Sequence, residues 1–162
     1  MKNDPQSVVV TPEVGSLNLN PSGFYYYASE FGIWANRAHA EMKSFSPVPY
    51  YLYCRSIELA LKAFLLAKGF PEQRLKYRNL GHDLTAIFAK ARTLGLDDLV
   101  SVKPEYEAEV SKANLYYSSK GFEYFSVLNA VHAYRDRPDL RCLQEFSDQL
   151  LKSLKQPCLD AE

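Results

Sequence analysis

The sequence is poor in the features that would mark a disulfide scaffold, a metal module, a sheet protein or a membrane span. Its three cysteines, Cys54, Cys142 and Cys158, are odd in number and far apart. None stands in a CxxC or Cys/His spacing, which argues against a disulfide framework and a zinc module. They read as reduced thiols, with Cys54 filling a core and Cys158 in a tail. Lysine and arginine total 19, and aspartate and glutamate total 19. Such a balance argues against a grip on nucleic acid through bulk charge, though a local basic patch stays open. No apolar run reaches membrane-spanning length, because Arg55, Glu58 and Lys62 interrupt the best candidate. The opening MKNDPQSVVV has only a short apolar run and does not read as a signal peptide. These absences predict a cytoplasmic protein with no membrane partner. There is no phosphate-binding glycine loop, no acidic pair of nucleotidyltransferase type in a strand context and no metal cluster. Neither a cofactor nor a metal is expected.

What is present is a helical pattern in a chain of single-domain length, 162 residues. Residues 1–20 show no helical period and form an expected tail, or an arm on a neighbouring subunit, with Val8 to Val10 a possible short strand. Ser22 is a candidate N-cap for a first helix. Its inward positions are Phe24, Tyr27, Ala28, Phe31, Ala35, Ala38 and Met42, and Ser46-Pro47-Val48-Pro49 stops it. A central helix follows and ends at Gly69 in a left-handed cap. Asp83 is placed to cap a third helix with the stripe Leu84, Ile87, Phe88, Ala91 and Leu94. Pro104 suits the first turn of a fourth, with Tyr106, Val110, Ala113 and Tyr117 facing inward. Phe125, Leu128 and Val131 favour a short helix within 122–134. Pro138 starts a last helix, carrying Leu140, Leu143, Phe146, Leu150 and Leu154 inward, and Pro157 ends it. No segment alternates long enough for a sheet. The fold class expected is all-α, a five- to six-helix up-and-down bundle over residues 21–156, with 157–162 a C-terminal tail.

The central helix carries the functional signal. Between Tyr50 and Ala67 it is apolar except for Ser56 and one polar line. Arg55, Glu58 and Lys62 stand three and four residues apart and share a face, with Tyr51 one turn before Arg55. Charges on a helix that is apolar nearly all round must be paired, reach solvent through a cleft, or be covered by a partner. The plain alternative is an exposed ion-pair line worth a few tenths of a kcal/mol per pair. His82 and Asp83 follow as either a proton-transfer pair or a helix cap with His82 packed on the central helix. Lys76, Tyr77 and Arg78, with Lys120 and Tyr124, form either an aromatic and basic surface for RNA or a solvated loop. The tyrosines at 25–27 and 50–51 suit core and interface.

Ser56 to Ala63, Gly69 and the tetrad Gly81-His82-Asp83-Leu84 resemble the HEPN family of small all-α bundles. The likeness is best from Tyr50 to Ala91, about a quarter of the chain. It implies a bundle that dimerises through its helices, often beside a nucleotidyltransferase-type protein partner. Many members of that family are ribonucleases that use an arginine, four to six variable residues and a histidine. In this chain Arg78 precedes His82 by three intervening residues and Arg74 by seven, and Ser119-Lys120-Gly121-Phe122 stands where an arginine-tyrosine pair often occurs. Lysine does not reproduce the arginine fork.

The resemblance and these departures together predict a homodimeric binding module for a nucleotide, RNA or a protein partner, acting without catalysis. Its candidate binding residues are Tyr51, Arg55, Glu58, Lys62, Arg78, His82, Asp83 and Lys120. The alternative is a metal-independent, toxin-like endoribonuclease. There His82 is the catalytic candidate for proton transfer, and Arg78 or Lys120 holds the phosphate. If only the helix pattern is shared, Glu58, Lys62 and His82 should not cluster in space.

Overall fold

The computed structural model describes residues 20–75, 80–124, 134 and 136–161. Among these are six α-helices and no strand: α1 (Pro21–Ala40), α2 (Pro47–Ala67), α3 (Glu72–Leu75), α4 (Leu84–Thr93), α5 (Pro104–Tyr117) and α6 (Leu140–Leu159). The all-α bundle expected from the helix periods is the observed fold. The arm expected before Asn20, the helix expected from Phe125 on, and Lys76, Tyr77 and Arg78 lie outside the described residues.

Local chemistry sets the helix ends. Asn20, not Ser22, caps α1: its Oδ1 accepts from the Gly23 backbone N–H at 2.7 Å, and the Ser22 hydroxyl donates to the same oxygen. An N-cap side chain of this kind satisfies a backbone donor that the helix cannot. The Ser46-to-Pro49 segment starts a helix more than it stops one. α1 already ends at Ala40, Ser46 accepts from Val48 N–H, and Pro47 takes the first helical position of α2, where its missing N–H costs nothing. At the far end of α2, Gly69 has φ 76°, with Phe70 N–H bonded to Leu65 O and Gly69 N–H to Leu66 O. That is a Schellman closure.

α2 runs through the middle of the bundle. α1 and α6 pack on one side of it, α4 and α5 on the other. The approach of α1 is close because its buried positions are small: Ala28, Gly32 and Ala35. A Cβ on Gly32 would stand 2.7 Å from Leu151 Cδ1. Ser56 donates to the Ala28 carbonyl, and Ser147 donates to Ser56, so the hydroxyls buried at this junction are satisfied. Ile57, Leu61, Phe64, Ile87, Leu143, Phe146 and Leu150 fill the core.

Two expectations are corrected here. Tyr27 is exposed, because the small residues of α1 form its inner face and turn the large ring outward. Pro157 does not end α6. The helix continues to Leu159, and Cys158 is buried rather than in a tail. Proline removes one backbone donor, but Asp160 N–H bonds to Gln156 O beyond it, and the burial of Leu154 and Cys158 holds the last turn in place. Burial pushes the Cys158 thiol up to about 12. No helix among the described residues is long and apolar enough to cross a membrane.

Candidate functional site

The carboxylate of Glu58 is the centre of the site, and its side chain is wholly buried. Helical spacing brings it two partners from α2 itself. Lys62 Nζ donates to Oε1 at 2.6 Å, and Arg55 Nη1 donates to Oε2 at 3.1 Å. Tertiary packing brings two more. Tyr117, at the end of α5, donates its hydroxyl to Oε2. His82, in the turn before α4, sets Nδ1 3.2 Å from Oε1 and 3.1 Å from Oε2. The exposed ion-pair line is therefore not what forms. The pairs are buried at Glu58 and Lys62, where removal of one partner is costly.

The same burial decides the protonation states. Desolvation alone pushes the Glu58 carboxyl up, but Lys62 and Arg55, with hydrogen bonds from Lys62 and Tyr117, outweigh it and hold it below the ordinary range. Desolvation works most strongly against the Arg55 charge, but Glu58, Tyr117 and Tyr51 together outweigh it and push its pKa up. The Tyr117 phenol is pushed far up, by burial first and then by the Glu58 carboxylate, so it stays a neutral donor. One carboxylate thus faces an ammonium and a guanidinium, so the cluster holds more basic groups than acidic ones. Lys62 is spent internally, because its ammonium also donates to the Gly81 carbonyl at 2.6 Å. Arg55 and His82 reach solvent, with side chains 28% and 60% exposed.

His82 has a defined orientation. A guanidinium can only donate, and Arg55 Nη1 lies 3.4 Å from His82 Nδ1, farther away than either carboxylate oxygen. We assign the Nδ1 proton to Glu58, which leaves Nε2 outside that contact; Nε2 can donate to an anion only when it carries a proton too. The His82 ring meets the Tyr117 ring edge-on at 6.3 Å.

The other candidates divide. Asp83 belongs to the scaffold: its Oδ1 accepts from Ala86 N–H at 2.9 Å and from Asn114 Nδ2 at 3.0 Å, while Asn114 accepts from Leu84 N–H. It caps α4 and ties that helix to α5, so it is not paired with His82 for proton transfer. Tyr51 lines the cluster, its ring 6.0 Å from that of Tyr117. Its phenol is pushed up by burial and then by Glu123. Lys120 occupies a left-handed position, φ 61°, with its ammonium 5.9 Å from the Tyr124 ring. Its described contact is to that ring and not to Glu58. Arg78 lies outside the described residues.

Beside Arg55, between α1 and α2, runs a groove of about 340 Å³ lined by Phe24, Tyr27, Phe31, Arg55 and Leu59. The Arg55 guanidinium is 5.9 Å from the Phe31 ring. An anion at Arg55 and His82 would thus have aromatic surface next to it. Among the described residues no group of three or more His, Cys, Asp or Glu could hold a metal ion.

Sequence reasoning placed Tyr117 on an inner helix face but did not connect it to Glu58, and it missed Asn114 and the Gly81 carbonyl. A tyrosine at the end of an apolar stripe was the available signal, since a buried hydroxyl needs a polar partner. No family model, no curated protein and no solved structure matches this chain.

Proposed function

We propose that this chain is a HEPN-like helical binding module that takes the phosphate of a nucleotide or RNA at Arg55 and His82, without catalysing a reaction. The observation that carries the reading is the buried Glu58. It organises two cationic side chains and a histidine around itself, and only Arg55 and His82 remain turned to solvent. Preorganised donors cost a ligand little ordering entropy. Arginine presents a planar fork suited to phosphate. The groove beside it offers Phe31 and Tyr27 to a base. The test is calorimetric titration with adenosine monophosphate and with a short oligoribonucleotide. Binding by wild type that falls at least about tenfold in Arg55→Gln, a loss of about 1.4 kcal/mol, supports the reading. Equal binding by the two proteins contradicts it.

One observation favours a second reading, metal-independent RNA cleavage. Glu58 holds His82 by Nδ1, as a carboxylate orients a catalytic imidazole, and Arg55 stands beside it as a phosphate ligand. RNA cleavage by wild type that disappears in His82→Ala would establish this reading over the first.

A further inference from the structure

The donors that the Glu58 cluster leaves over bear on which kind of phosphate it takes. Arg55 gives Nη1 to Glu58 Oε2, and its guanidinium fork has further N–H donors for a ligand. Arg55 Nη1 lies 3.4 Å from His82 Nδ1, so a phosphate held by Arg55 stands beside the imidazole. Glu58 holds that ring by Nδ1, which leaves Nε2 on the side away from the carboxylate. A phosphate oxygen beside Nε2 is favourable only with one proton between the two atoms, because two lone pairs otherwise face each other. A phosphate monoester has such a proton to share, since its second ionisation lies at about pH 6. A phosphodiester has only one ionisable proton and has already lost it at neutral pH. The cluster also holds more basic groups than acidic ones, which favours the ligand of larger negative charge. The groove beside Arg55, about 340 Å³, is at the small end of the ~300–1,000 Å³ of ligand sites. It has room for one nucleoside and not for a strand.

We propose that the site selects a terminal phosphate monoester of a nucleotide over an internal phosphodiester, with one proton shared between His82 Nε2 and a phosphate oxygen. The inference rests on the phosphate site proposed above and narrows its ligand. A free mononucleotide and the phosphorylated end of an RNA present the same chemistry. Arg55 takes the charge of either ester, and His82 supplies the preference. The groups that face the ring leave that proton where it is. Glu58 and Arg55, from α2, lie on the Nδ1 side. Tyr117, from α5, meets the ring edge-on and commits its hydroxyl to Glu58. Lys62 is committed to Glu58 and to the Gly81 carbonyl.

Calorimetric titration of the full chain tests it, with adenosine monophosphate and with one short oligoribonucleotide in its 5′-phosphorylated and 5′-hydroxyl forms. The two oligonucleotides share every internal diester. Wild type should bind the phosphorylated form at least about tenfold more tightly than the hydroxyl form. At about pH 8 the monoester is a dianion, so its complex should take up a proton from solvent, read from the heats in two buffers of different ionisation enthalpy. His82→Ala, with circular dichroism as the control for folding, should lose both the preference and the uptake. Wild-type binding of adenosine monophosphate alone assigns the ligand as a mononucleotide, and binding of the phosphorylated oligonucleotide alone assigns an RNA end. Equal, measurable binding of the two oligonucleotides overturns the inference, as does a preference that survives in His82→Ala or a monoester complex that takes up no proton. Arg55→Gln separates that failure from failure of the site itself. If it weakens both oligonucleotides alike, a phosphate site stands without the monoester preference. If it weakens neither, or if wild type binds none of the three ligands, both readings fall.

Discussion

The ammonium of Lys62 donates to the carbonyl oxygen of Gly81 at 2.6 Å while also donating to Glu58. A side chain of the central helix therefore fixes the backbone of the turn that carries His82. The two sequence features that stood out, the polar line of α2 and the tetrad after it, are one physical unit. Stability and site geometry are coupled through that unit.

Glu58→Gln should be strongly destabilising. It leaves Lys62 and Arg55 facing a neutral amide in a buried setting, where removal of one partner costs about 3–5 kcal/mol. Lys62→Met should cost less, because Arg55 still pairs with Glu58. Urea unfolding of the three proteins gives the ranking through the shift in midpoint at constant slope.

The pH dependence has a defined sign at each end. The Glu58 pKa is lower in the fold than in the unfolded chain. Its contribution is present above the ordinary glutamate range, about 4.3, and is lost as pH falls through the lower folded value. The Tyr117 pKa is higher in the fold. Its contribution is present below the ordinary tyrosine value, about 10, and declines as pH rises above that. Stability measured against pH should therefore show an acid loss that is shallower in Glu58→Gln and an alkaline loss that is shallower in Tyr117→Phe. Parallel curves for variant and wild type would contradict the assignment.

Asp83→Ala should cost about 0.5–2 kcal/mol, the range for a lost N-cap, because it strips α4 of a cap and Asn114 of a partner. Thermal unfolding reads that cost. Ligand affinity should fall with it, since the turn before the cap carries His82. Asp83→Asn, which keeps the acceptor for Ala86 N–H, should recover most of both.

The parts of this fold that were legible in the sequence are those that local chemistry decides. Gly69 closes α2 and Asp83 caps α4 because each acts on backbone groups within a turn of itself. Arg55, Glu58 and Lys62 could be placed together because helical spacing alone brings them together. Tyr117 could not be joined to Glu58, 59 residues away, because the register of α5 against α2 is set by packing rather than by any local signal. Tyr27 was given to the wrong face for a related reason. A hydropathy stripe favours large rings, whereas close helix contact at Ala28, Gly32 and Ala35 selects small ones. Pro157 was taken as a stop because its lost backbone bond is a local cost, and the burial of Cys158 that offsets it is not local.

The most direct test of the central claim is the nuclear magnetic resonance titration of the His82 ring with adenosine monophosphate, in wild type and in Arg55→Gln. His39, which contacts the Tyr53 hydroxyl at 3.3 Å on the α1 side of α2, serves as an internal control. The account predicts that the His82 ring signals move saturably in wild type, that His39 stays still, and that the response of His82 weakens at least about tenfold in concentration in Arg55→Gln. A His82 signal that does not move, or one that moves equally in both proteins, would contradict a phosphate site at Arg55 and His82.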